Sequence, residues 1–164
     1  MAGRRAAGAT PATTALTRAG VPFTEHSYDH DAGAASYGLE AAAALGLAPE
    51  QVFKTLMVSV DGRLAVAVVP VSGQLDLKAV AAAVGGKRAT MADPAAAERA
   101  TGYVVGGISP VGQRRAHRTV LDQSALGFDT VYVSGGRRGL DIGVAPGDLV
   151  RVTGAVVAPI GRAG

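Results

Sequence analysis

Hydrophobic and polar positions alternate most clearly between Phe53 and Val71, where two apolar runs, FKTLMVSV and RLAVAVV, are separated by Asp61-Gly62. Asp-Gly between two such runs signals a tight hairpin, because both residues tolerate the positive φ that a type I′ turn demands. This hairpin is predicted to form the centre of the sheet. Alternation puts Lys54 on one face with Leu56, Val58 and Val60, and Phe53, Thr55, Met57 and Ser59 on the other. A lysine therefore opens an otherwise apolar stripe. Two readings of Lys54 follow: a strand-end lysine whose stem covers apolar surface while its ammonium reaches water, or a charge held at a pocket mouth, where burial shifts its pKa and an anion can meet it.

The remaining elements are read from capping and turn residues. Thr10-Pro11 supplies an N-cap and first helical residue, with Ala15, Leu16 and Ala19 as the apolar face and Gly20 as the stop. A strand follows, with Val21, Phe23, Glu25 and Ser27 on one face and Thr24, His26, Tyr28 and His30 on the other. Ser36 precedes a helix from Tyr37 to Leu45 ended by Gly46, and Pro49 opens a turn towards Phe53. Asp76 caps a helix from Leu77 to Val84 closed by Gly85-Gly86, and Asp93-Pro94 starts a two-turn helix ended by Gly102. Tyr103 to Val105 is expected to be a strand end, followed by strands at Arg118–Asp122, Thr130–Ser134 and, after a GGRRG turn, Leu140–Val144 as the last. Ser134 and Asp141 would flank that turn. Pro146 opens a short final helix. These elements predict an α+β fold around a curved, mixed but mostly antiparallel sheet, organised as a tail over residues 1–9, one domain over 10–158 and a flexible tail over 159–164.

Composition narrows the class. The chain has 164 residues, of which 48% are apolar, enough for one domain with its own core. No apolar run approaches the roughly 20 residues of a membrane span, and the N-terminus lacks the uninterrupted apolar stretch of a secretory signal. A soluble, cytoplasmic protein is expected. Without cysteine it has neither disulfides nor a thiolate nucleophile of its own. The net charge of +3 permits a polyanionic partner, while three Phe, four Tyr and no Trp disfavour a surface that stacks successive bases. Contact with nucleic acid should be to phosphate or to one end.

Candidate chemistry is sparse. His26 and His30, with Asp29 and Asp31 nearby, fall short of the three or four convergent ligands of a tight metal site, and are read as polar loop residues. Lys87-Arg88, beside the Gly pair, is a phosphate contact or, preferably, a solvated edge. There is no GxSxG elbow, HExxH pair, P-loop or dinucleotide fingerprint. The least ordinary stretch is the loop after Tyr103, in which Gly106-Gly107 allows close backbone approach and exposes N–H groups, with Pro110 and Gly112 fixing its course.

Several separated segments together resemble the YbaK/EbsC family of aminoacyl-tRNA editing domains: TPAT in the first helix, YDHD at Tyr28–Asp31, FKTL at 53–56, TGYVVGGISPVGQ at 101–113 and VYVSGGRRGLDI at 131–142. The resemblance runs from about Thr10 to Leu149. It implies a compact, barrel-like α+β fold and a hydrolase, or lyase-like, deacylation that clears cysteine from mischarged tRNA(Pro) without a cofactor or metal. Lys54 corresponds to the family's essential lysine and Tyr28 to its pocket tyrosine, with Phe53 and Thr55 beside the lysine. Gly106, Gly107, Ile108, Ser109 and Pro110 match the loop bordering the substrate, and Ser134 and Asp141 match the serine and aspartate of the SGG…GLD segment. On this reading the substrate thiol attacks its own ester, Gly106 or Gly107 stabilises the oxyanion, and Lys54 holds the terminal ribose-phosphate or the leaving group. The implied partners are tRNA and prolyl-tRNA synthetase, with no DNA and no membrane. Deacylation of another small residue, alanine or serine, is the enzymatic alternative. A non-catalytic RNA or nucleotide binder, using Lys87, Arg88, Arg114, Arg115, Arg137 and Arg138, is the alternative from a different class.

Overall fold

The structure, a computed structural model, describes residues 9–34 and 36–163; the expectation for residues 1–8, and for Gly164, lies outside them. The Asp61-Gly62 turn forms as the sequence requires, with φ of 50° and 86°, and joins β2 (Phe53–Val60) to β3 (Arg63–Pro70) in full antiparallel register. Around them the order β5-β2-β3-β6-β9 makes a five-stranded sheet, with β5 at Ala89–Met91, β6 at Arg118–Asp122 and β9 at Val156–Ala158. The β3–β6 and β6–β9 pairs are parallel, so the sheet is mixed. Both faces are apolar and both are covered. Phe53, Met57, Val66, Val68 and Leu121 enter one core cluster, while Val58, Val60, Ala65, Val69 and Val120 enter a second, which is why β2 and β3 read as nearly continuous apolar runs.

A second sheet, β1-β8-β7, is antiparallel throughout, with β1 at Phe23–Ser27, β7 at Val131–Arg137 and β8 at Leu140–Val144. An isolated bridge from Val52 to Tyr132 ties it to the start of β2. Among the described residues the strands thus divide into three sheets, the third a pair of β4 (Gly73–Leu75) and β10 (Gly161–Ala163).

Among the described residues, five α-helices surround the sheets. They are α1 (Pro11–Arg18), α2 (Tyr37–Leu45), α3 (Leu77–Ala83), α4 (Pro94–Thr101) and α5 (Pro146–Thr153). Thr10, Ser36, Asp76 and Asp93 each cap a helix through the side chain, as their positions predict. Thr10 also donates to the Gly135 carbonyl, fastening α1 to β7.

Four expectations are corrected. Ala19 is an exposed C-cap, and the buried face of α1 is Ala12, Thr13 and Leu16. Tyr103–Val105 is loop, because side chains satisfy it: Val105 N–H donates to Glu98 Oε2 at 2.8 Å and the buried Tyr103 hydroxyl donates to the Val111 carbonyl at 2.7 Å. The Gly135-Gly136 pair stays within β7, which bulges between Ser134 and Arg137 before the turn at Arg138-Gly139. Finally, Leu140–Val144 is not the last strand, and the segment expected to trail from 159 carries β10. Ile160 is fully buried in the second core cluster, and the Ile160 and Gly161 amides donate to Asp122 Oδ1 at 3.0 and 2.8 Å.

Candidate active site

Where α2, β2, the α4 N-terminus and the Val105–Ile108 loop converge on the β7–β8 ladder, they enclose a cavity of about 370 Å³. This is the size of a small-ligand site. Of the residues singled out in the sequence, Tyr28, Phe53, Lys54, Thr55, Gly106, Ile108, Ser134 and Asp141 line it. Gly107, Ser109 and Pro110 do not; all three are buried, and Gly107 and Ser109 support the loop from behind.

That support is visible bond by bond. Gly107 N–H donates to the Val104 carbonyl at 2.8 Å, closing the turn, and a Cβ at Gly107 would fall 2.8 Å from Arg137 Cα and from Arg138 N. Ser109 is fully buried, its hydroxyl accepts from Val111 N–H, and its carbonyl accepts from Gln113 Nε2 at 3.0 Å. Gly106 lies on the cavity wall with φ of 88°. Its N–H has no acceptor among the described residues. Of the two glycines, only Gly106 therefore keeps its amide free for a ligand.

Lys54 Nζ donates to the Gly73 carbonyl at 2.9 Å. The residue lines the cavity, and burial pulls its pKa below the ordinary lysine value. Asp141, 6% exposed, faces Ser134 across the β7–β8 ladder and His26 across β1–β8. Desolvation raises its pKa to about 7, and the same burial, with the charge of Asp141, pushes the Tyr28 hydroxyl up to about 12. Ser134 Oγ accepts from Gly136 N–H at the bulge. Among the described residues, the buried Thr55 Oγ1 has no partner, a state that a native site resolves with water or ligand.

The three histidines lie outside the lining. His26 bonds Thr24 Oγ1 at 2.7 Å, His30 bonds Glu40 Oε1 at 2.8 Å, and His117 bonds Gln113 Oε1 at 2.8 Å. Among the described residues no group of three or more His, Cys, Asp or Glu is placed to hold a metal ion.

Sequence reasoning missed Tyr37, Met57 and Met91, which also line the cavity. Met57 shares the Phe53 and Thr55 face of β2, so alternation could have found it. Nothing local marks Tyr37. Its ring stacks on His30 with centroids 5.6 Å apart and lies under the Arg138 guanidinium at 5.2 Å. Arg138 Nε in turn donates to the Val105 carbonyl at 2.8 Å. Lys87 and Arg88 are exposed, and their amides donate to Asp61 at 2.9 and 3.0 Å, which makes them part of the hairpin turn.

Among the described residues no helix is long and apolar enough to cross a membrane. The chain is 37% identical over 121 residues to EbsC of Enterococcus faecalis, named as a Cys-tRNA(Pro)/Cys-tRNA(Cys) deacylase, and the match covers 73% of each chain. A crystal structure described as a trans-editing enzyme for prolyl tRNA synthetase superposes with a TM-score of 0.78 at 28% identity, over 93% of this chain and 95% of that one. The hypothetical protein APE2540 superposes with a TM-score of 0.83 at 27% identity, over 93% and 100%. The pattern of the aminoacyl-tRNA editing domain matches residues 32–152, a span that includes Lys54, the Gly106–Pro110 loop, Ser134 and Asp141, and the chain therefore belongs to that family.

Proposed function

We propose that this chain is an aminoacyl-tRNA deacylase that acts in trans on Cys-tRNA(Pro). The observation that carries this reading is that one largely apolar cavity is lined both by Gly106, whose amide has no acceptor among the described residues, and by Lys54, whose amine is partly desolvated by burial. An aminoacyl ester is already activated. A site that orients it and stabilises the charge developing on its carbonyl oxygen needs no strong nucleophile of its own.

On this reading Phe53, Met57 and Ile108 shelter the aminoacyl side chain, and the Gly106 N–H donates to the developing oxyanion. The cysteine thiol attacks its own ester carbon, a C–S bond forms, the C–O bond to the ribose breaks, and the thiol proton passes to the leaving ribose oxygen. Lys54 keeps one of its three N–H donors on the Gly73 carbonyl and stabilises that oxygen or the terminal phosphate with another. Thr55 and Ser134 offer hydroxyls to the substrate's polar groups, and Asp141, with Tyr28, offers a carboxyl to its ammonium.

The name of the structural relative, together with a modest net charge of +3, supports work beside prolyl-tRNA synthetase in the cytoplasm, with the synthetase supplying much of the tRNA recognition. The test is a panel of Cys-, Ala-, Ser- and Pro-tRNA(Pro), with and without synthetase. Cysteine should be released well above the buffer rate and proline should not. Release of alanine as fast as cysteine would show that the substrate thiol is dispensable. Salt-sensitive binding without turnover would make the chain an RNA-binding module.

A further inference from the structure

We infer that strand β10 and the backbone of Gly73 form a positioning device for Lys54, so that the β4–β10 pair sets where the site's ammonium sits. The inference rests on the deacylase reading for its catalytic consequence, but its geometry stands apart from it. Among the described residues, Lys54 Nζ has one protein acceptor, the Gly73 carbonyl at 2.9 Å. Gly73 opens β4, and β4 has β10 as its strand partner, with Gly73 opposite Ala163, Gln74 opposite Arg162 and Leu75 opposite Gly161.

The fit at Gly73 is close. A Cβ there would fall 2.4 Å from the Arg162 carbonyl oxygen, and backbone on backbone leaves no flexible side chain to give way. β10 is itself clamped from three sides. Ile160 is fully buried, its carbonyl accepts from Asp76 N–H at 2.7 Å, and Asp122 Oδ1 accepts the Ile160 and Gly161 amides. A continuous path of bonds thus runs from Asp122 through β10 and Gly73 to the lysine. A flexible four-carbon stem has many rotamers, and a fixed carbonyl selects among them before substrate arrives. Burial lowers the pKa of this ammonium, which fits an amine held at the wall and kept from bulk water.

The experiment has a part that needs no substrate. In the full wild-type chain, NMR of the labelled Lys54 ammonium should show a cross-hydrogen-bond coupling between Nζ and the Gly73 carbonyl carbon, with slowed proton exchange. Absence of the coupling, with exchange as fast as in an exposed lysine, would overturn the proposal. Gly73→Ala and deletion from Gly161 onward should each abolish the coupling. With Cys-tRNA(Pro) they should lower kcat about tenfold to a hundredfold, the cost of a misplaced group, while KM changes little. A folded Gly73→Ala protein with wild-type kcat would overturn the proposal as well. If wild-type protein shows the coupling but releases no cysteine, the positioning device stands and the deacylase reading fails.

Discussion

The α-carbon of Gly106 rests against the ring of Tyr37, so close that a Cβ would fall 2.6 Å from Tyr37 Cε1. A loop residue and a helix residue 69 positions earlier thereby form one wall of the cavity. Its φ of 88° adds a second reason for glycine. Gly106→Ala should therefore strain the loop and push Tyr37 from its place between His30 and Arg138. We expect a stability loss of about 1–3 kcal/mol and a fall in deacylation larger than the fall in melting temperature explains. Melting curves beside single-turnover kinetics measure both.

Lys54→Met keeps the stem and removes the charge. If the ammonium stabilises the leaving group or terminal phosphate, the rate should fall about a hundredfold or more, as for one preorganised contact worth roughly 3 kcal/mol, with the fold intact by circular dichroism. Lys54→Arg, with a broad planar fork in place of a compact ammonium, should recover little. A folded Lys54→Met protein that deacylates at the wild-type rate would remove Lys54 from the chemistry.

Asp141 sets a pH dependence. Its folded pKa of about 7 lies above the ordinary 3.8, so the folded protein holds the proton more tightly than the unfolded chain. This contribution to stability is complete below about pH 3.8 and is lost as pH rises towards and through 7. The loss amounts to about 4 kcal/mol at one pKa unit per 1.36 kcal/mol. Asp141→Asn should lack it, so the stability difference between variant and wild type should grow in the variant's favour from pH 4 to 8. Comparing the two proteins cancels Glu40 and Asp61, whose lowered pKa values act in the opposite sense. Parallel denaturation curves across this range would refute the assignment.

Asp122 is a buried carboxylate that accepts from Ser124 N–H and Oγ as well as from Ile160 and Gly161. Asp122→Ala would strand these donors and release β10. The expected cost is about 3 kcal/mol or more, with increased amide exchange in residues 160–163. Local exchange unchanged from wild type would show that β10 holds without its clamp.

Local rules determined much of this protein from sequence alone. Turn chemistry at Asp61-Gly62, four side-chain helix caps and the alternation along β2 each depend on residues a few positions apart, so the hairpin and all five of the described helices were legible. Motifs also identified part of the cavity wall, because YDHD, FKTL and GLD each bring one or more of its residues. Only the tertiary structure decided the rest. Which amide of Gly106-Gly107 remains free depends on a turn bond to Val104. Tyr37 joins the site through ring contacts with His30 and with Gly106 and Arg138 from two distant segments. The order of 159–163 comes from one buried isoleucine and a carboxylate 38 residues away, so short apolar runs at the chain end gave no local warning. The place of the Lys54 ammonium, at the Gly73 carbonyl, follows from a strand pairing that no spacing along the chain encodes.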